Sequence, residues 1–156
     1  MVKTKIAVFI SGSGTNLQAL IDAQRDGILR NGRITLVISS NSIAYGLKRA
    51  REAGIDAVAV TRRECGSQEA FEAEILEKLE EYGIELIVLA GFLNILSEDF
   101  VKRYSDRIIN IHPSLIPSFC GKGYYGIRVH EAALDYGVKV TGATVHFVNE
   151  IPDGGR

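Results

Sequence analysis

Cysteine is scarce in this chain: Cys65 and Cys120 are the two among 156 residues. They are too few and too far apart for a disulfide framework or a Cys-x-x-Cys metal motif, so a reducing, cytoplasmic setting is expected. Excess charge is also missing. The formal net charge is −1, which lacks the basic footprint of a nucleic-acid binder. A small anionic ligand is not excluded, because backbone dipoles can hold a phosphate without net positive charge. No apolar run reaches membrane-spanning length, and a strand-like segment begins at Lys5, so no signal peptide is expected. Neither a membrane nor a nucleic acid is therefore an expected partner. The three histidines, His112, His130 and His146, show no His-x-x-x-His spacing, so no zinc site is expected. Proline is limited to Pro113, Pro117 and Pro152.

What is present is an ordinary globular balance, 46% hydrophobic and 24% charged, in a length that suits one domain spanning residues 1–156. Strand-like and helix-like segments alternate. "KIAVFI", "ITLVIS", "AVAV", "ELIVLAGF" and "RIINI" are continuous apolar runs of the kind found in parallel strands buried on both faces. Between them, "NLQALIDAQRDG" puts Leu17, Leu20 and Ile21 on one stripe and stops at Gly27. "SQEAFEAEILEKLEEYG" puts Phe71, Ile75, Leu79 and Tyr82 on one face, with Ser67 as N-cap and Gly83 as C-terminal stop. Its glutamates read as a solvated face. The alternation predicts an α/β fold, Rossmann-like, with a mostly parallel sheet and helices on both faces. In such sheets ligands bind outside the carboxyl ends of the strands. Two of those ends carry unusual residues, "ISGSGTN" and "NIHPS".

The first, "FISGSGTNLQAL", runs from strand through Gly-x-Gly into a helix. Glycines let backbone approach an anion, and the N–H groups of a helix start point at it. The same residues could be a tight turn followed by a helix with a Thr15-to-Gln18 capping box, needing no ligand. A dinucleotide fingerprint would want a third glycine where Leu17 stands and an acidic residue where the chain has "SSNS". A P-loop would want a lysine. What remains suits a single phosphate.

The second end places Asn110 and His112 two apart on a strand, hence on one face. An amide can donate to an oxygen that gains charge, and an imidazole can shuttle a proton. Pro113 and Pro117 stiffen the backbone just after the pair. A strand exit with a turn asparagine and a half-buried histidine would look the same. Farther on, "TGATVHFVNEIPDGG" places Thr144, His146 and Val148 on one face and ends on Asp153. That carboxylate could stabilise a protonated imidazole, or could simply be a turn aspartate before two glycines. His130, in the helix-like "RVHEAALDYG", reads as a surface or cap residue.

Taken together, "VFISGSGTNLQALIDA", "VLAGFLNILSEDFV", "INIHPSLIPSFCGKG" and "GATVHFVNEIPDGG" resemble the phosphoribosylglycinamide formyltransferase family over nearly the whole chain. "HPSLIP" is shared with other formyltetrahydrofolate enzymes, and "SGSGTNLQA" is closer to this branch. The resemblance implies an enzyme of purine biosynthesis, cytoplasmic and possible as a homodimer, with 10-formyltetrahydrofolate as co-substrate and glycinamide ribonucleotide as substrate. It implies Asn110, His112 and Asp153 as catalytic residues, and Gly14, Thr15 and Asn16 as the phosphate loop. Leu93, Asn94, Ile95 and Leu96 would line the folate site, with Val148 to Asp153 closing on the pterin. Asn110 and protonated His112 would meet the tetrahedral oxyanion, and Asp153 would assist proton transfer. Gln68 and Asn94 stand where some members carry arginine. The first position is expected beside the substrate phosphate and the second near the folate, so anion binding should weaken unless Arg62, Arg63 or Lys122 substitutes. Relatives continue past "DGG" with another strand and a helix, so the expected fold lacks those closing elements at Arg156. The same catalytic residues would also serve a formyltetrahydrofolate hydrolase or a methionyl-tRNA formyltransferase. A non-catalytic nucleotide-binding module is a further alternative.

Overall fold

A computed structural model describes residues 2–155. The chain forms two compact units, the first running to Leu96 and the second beginning at Ser97.

The first unit is built on four parallel strands: β1 (Thr4–Ile10), β2 (Gly32–Ser39), β3 (Asp56–Ala59) and β4 (Leu86–Leu89), in the order β3-β2-β1-β4. β1 has a hydrogen-bonded neighbour on each side, with Phe9 opposite Ile38 of β2 and Leu89 of β4. All of Ile6 to Ile10 is buried. That is why its sequence is unbroken apolar rather than alternating: both faces of a central parallel strand are covered. Four helices accompany these strands: α1 (Thr15–Arg25), α2 (Tyr45–Glu52), α3 (Arg62–Cys65) and α4 (Gln68–Tyr82). Leu17 and Ile21 of α1 join Val8, Ile10, Ile34 and Val37 in one core cluster. α4 starts where its cap predicts. Ser67 Oγ accepts from the Ala70 N–H at 3.1 Å, and the helix stops at Gly83 in the left-handed conformation. Its glutamates are not all solvated, however. Glu72 is 8% exposed, and its carboxylate accepts from the Gln68 side chain at 2.7 Å.

The second unit contains α5 (Glu98–Arg103), β5 (Ile108–His112), α6 (Ile127–Tyr136) and β6 (Thr144–Phe147). β5 and β6 pair antiparallel, with Asn110 opposite His146 and His112 opposite Thr144. The fold is thus of the expected α/β class with mostly parallel strand pairing. His130 is on the exposed side of α6, as its helical position predicts.

Candidate active site

Asn110, His112 and Asp153 come together in the second unit, and β6 adds a fourth member, His146. The His112 Nδ1 lies 3.7 Å from Asp153 Oδ1, and His146 Nε2 lies 3.9 Å from the same oxygen. Both imidazoles are buried, each residue 5% exposed. These are ion-pair separations, longer than a direct hydrogen bond.

The neighbours of each ring decide where its protons are. His112 Nε2 lies 2.8 Å from the Phe119 carbonyl, which can only accept, so this nitrogen carries a hydrogen. His112 Nδ1 is then the nitrogen turned to Asp153. For His146 the order is reversed. Its Nδ1 lies 3.0 Å from the Phe147 carbonyl and must donate, so Nε2 is free to accept. It accepts from Asn110 Nδ2 at 3.2 Å. That bond fixes which end of the Asn110 amide is NH₂. One amide N–H is used on His146, and a second N–H and the amide oxygen remain for other partners.

The loop after β5 is tied to this cluster through its main chain. Ser114 is buried and its Oγ donates to the Ser118 carbonyl at 2.5 Å. Thr144, across from His112, donates to the Ser114 carbonyl at 2.6 Å and accepts from the Ile116 N–H at 3.1 Å. The Gly121 N–H donates to Asp153 Oδ2 at 2.8 Å. One carboxylate oxygen is therefore anchored while the other faces both imidazoles. Asp153 itself has φ 55, a left-handed conformation that aspartate tolerates better than most residues. Close approach of the chain behind it requires Gly155, where a Cβ would fall 1.5 Å from the Phe147 carbonyl oxygen. The "DGG" of the sequence is both a turn and a means of presenting Asp153.

His146 and Thr144 were not predicted as site residues. The signal was their shared face with Val148, but its meaning depends on the β5–β6 register, which periodicity along one strand does not reveal.

The glycine loop lies in the first unit. Gly14, not Thr15, is the N-cap of α1, with φ 72, and no side chain caps the helix. The capping box that the Thr15-to-Gln18 spacing allows does not form. Gln18 instead donates to Asp22 at 3.1 Å and accepts from Arg49 Nη1 at 3.2 Å, while Arg49 Nε holds the Ser13 carbonyl at 2.8 Å. The guanidinium, reaching in from α2, takes the partner that the box required. A Cβ on Gly14 would meet the Gly46 Cα at 2.7 Å, and the Gly46 N–H donates to the Gly12 carbonyl at 3.1 Å. Backbone therefore packs on backbone, and the loop is held open toward Thr15 and Asn16, both exposed. First-turn N–H groups without a side-chain cap are the donors an anion can use.

Leu93 to Leu96 form an irregular segment with Leu93 63% and Ile95 77% exposed. Gln68, expected beside the phosphate, donates from its amide to Glu72 and to the Ile95 carbonyl.

Comparison with known proteins gives the same direction. The family model described as formyl transferase matches residues 4–156. The chain is 42% identical over 150 residues to phosphoribosylglycinamide formyltransferase of Escherichia coli strain K12, covering 96% of this chain and 68% of that one. It is 45% identical over 153 residues to the trifunctional purine biosynthetic protein adenosine-3 of Gallus gallus, covering 98% of this chain and 15% of that protein. The crystal structure of glycinamide ribonucleotide transformylase 1 from Symbiobacterium toebii superposes with a TM-score of 0.89 at 44% identity, covering 98% of this chain and 69% of that one. The chain thus spans a small part of the trifunctional relative and about two thirds of the Escherichia coli and Symbiobacterium toebii proteins. A match over residues 4–156, at this identity and with this backbone agreement, establishes that the chain belongs to the formyl transferase family.

Proposed function

We propose that the chain transfers a formyl group from 10-formyltetrahydrofolate to the amine of glycinamide ribonucleotide, a step of purine biosynthesis. The observation that carries this reading is the cluster of buried His112 and His146 with half-buried Asn110 and Asp153, which combines an oriented amide donor with an imidazole and a carboxylate. Its relatives' names, phosphoribosylglycinamide formyltransferase and glycinamide ribonucleotide transformylase, support the choice of substrate.

In this mechanism the substrate amine attacks the formyl carbon and the carbonyl oxygen becomes an oxyanion. The second N–H of Asn110 donates to that oxyanion, assisted by protonated His112. Donors already in place cost no reorganisation as charge develops. Asp153 balances the imidazolium and passes the amine's proton through water to the departing folate nitrogen. The C–N bond to the ribonucleotide forms, the C–N bond to the folate breaks, and the proton moves from one nitrogen to the other. Gly14, Thr15 and Asn16 bind the ribonucleotide phosphate through uncapped N–H groups. Leu93, Asn94, Ile95 and Leu96, with Val148 and Asp153, line the folate. The setting is cytoplasmic, with a homodimer as the proposed assembly.

Formyl transfer measured with and without glycinamide ribonucleotide tests the reading. Folate deformylation that requires the ribonucleotide, with formylated ribonucleotide as product, is the expected result. Equal deformylation without the acceptor would assign a hydrolase instead. No loss of formyl group under either condition would leave only a binding module.

A further inference from the structure

The segment Leu93 to Leu96 has neither helix nor strand, yet it carries two exposed apolar side chains. An irregular segment keeps one conformation only if its backbone polar groups are held by something else. Two side chains hold this one. The Leu93 N–H donates to Ser11 Oγ at 2.9 Å. The Ile95 carbonyl accepts from Gln68 Nε2 at 3.2 Å.

Both side chains are themselves fixed. Ser11 is 8% exposed, follows β1 directly and opens the glycine loop, and its Oγ lies 2.6 Å from Ser40 Oγ. Gln68 is the first residue of α4, and its Nε2 also donates to the buried Glu72 Oε1 at 2.7 Å, one helical turn on. A carboxylate and a carbonyl only accept, so the orientation of the amide is chemically forced. The flipped amide would set its oxygen against two acceptors. The stronger bond, to a charged acceptor, aims the weaker one.

We propose that Gln68 is a positioning residue for the Leu93–Leu96 segment and not a ligand for the substrate phosphate: its amide N–H groups are engaged by Glu72 and by the Ile95 carbonyl. The order runs from Glu72 through Gln68 to the main chain of the segment, with Ser11 holding the segment's other end. The consequence for catalysis rests on the reading above that this segment lines the folate. On that reading, a residue expected on the ribonucleotide side tunes the folate side.

The test is Gln68→Glu, which keeps the shape and removes both donors. An acidic residue in the first turn suits the helix dipole but stands one turn from the Glu72 carboxylate, so thermal unfolding is measured alongside to show that α4 is kept. Gln68→Ala is the second variant, and Gln68→Arg the rescue, since a guanidinium can donate to carboxylate and carbonyl together. Hydrogen exchange followed at residues 93–96 should quicken in the Glu and Ala variants while residues 12–17 are unchanged. The KM for 10-formyltetrahydrofolate should rise about tenfold, the loss of one net hydrogen bond. The ribonucleotide KM and kcat should stay within about twofold, and Gln68→Arg should return the folate KM to within about threefold of the parent. Unchanged exchange at residues 93–96, or a rise confined to the ribonucleotide KM, overturns the proposal. Faster exchange with unchanged folate KM upholds the positioning role and refutes the assignment of the segment to folate.

Discussion

Replacing Asp153 by asparagine separates what the carboxylate does by position from what it does by charge. One oxygen, Oδ2, is anchored by the Gly121 N–H at 2.8 Å. An asparagine can keep that bond only by placing its oxygen there, so its NH₂ must face the imidazoles. The loop stays in place and the charge disappears. The His112 ring, buried and 3.7 Å from Oδ1, then loses a counter-ion. A unit charge at about 4 Å is worth about 4 kcal/mol at an effective dielectric of about 20, an upper figure for a partly screened pair. His146 does not take over this role, because its Nε2 is engaged by Asn110. On the proposed mechanism that energy is spent on the imidazolium as the oxyanion forms, so kcat should fall by roughly 10²–10³. Thermal stability and ribonucleotide affinity should change little. Steady-state formyl transfer, thermal unfolding and titration calorimetry on one preparation supply the three readings. The double variant His112→Ala with Asp153→Asn should lose far less than the product of the two single losses, since balancing the imidazolium, one of the aspartate's two roles, acts through the histidine. An asparagine variant within about threefold of the parent, or a double variant whose loss is the product of the two single losses, would refute the reasoning.

Asn110→Ala should reduce kcat by roughly 10²–10³, as loss of one oxyanion donor does, and a variant within a factor of two of the parent would remove Asn110 from the mechanism. His146→Leu removes the acceptor that orients Asn110, and should lower kcat by about tenfold with both KM values nearly unchanged; an unaltered kcat would show that Asn110 orients itself. Gly14→Val should raise the ribonucleotide KM far more than the folate KM, because the new side chain meets the Gly46 backbone and distorts the loop; equal effects on both would indicate general misfolding. The Tyr82 phenol donates to Asp56 at 3.0 Å, and that bond, with burial adding to it, holds the phenol above the ordinary tyrosine range. Its contribution to stability is therefore present at neutral pH and is lost as pH rises through the raised value. Denaturant titrations of Tyr82→Phe and the parent should differ near neutrality and converge in strong alkali.

The parts that were legible in the sequence are those set by short-range rules. The unbroken run "KIAVFI" is buried from Ile6 to Ile10 because a central parallel strand packed on both faces has no wet face. Ser67 and Gly83 bound α4 because capping chemistry is local. The losses came where a distant residue entered a local pattern. Thr15 to Gln18 has the spacing of a capping box, but Arg49, 31 residues from Gln18, takes the glutamine oxygen. Glu72 lies among solvated glutamates in sequence and is buried in space beside Gln68. Asn110, His112 and Asp153 were found by residue type and by resemblance, and they do converge. His146 was missed because only the antiparallel register sets it across from Asn110.

The span from Phe119 to Gly121 meets the cluster at two points, the Phe119 carbonyl that accepts from His112 and the Gly121 N–H that donates to Asp153. Both groups belong to the main chain, so the side chains at these positions have no role in either contact. A change of side chain should be tolerated at Cys120, which lies between the two contacts, and not at Gly121, whose φ of 85 favours glycine. Removing one residue from the same span should record loss of function, because the carbonyl and the N–H could no longer reach both partners. The span works as a ruler whose length, not its lettering, sets how far the carboxylate stands from the imidazole. Family members could therefore vary at the position of Cys120 while keeping the count, and a change in that count would mark a site with a different spacing and different chemistry.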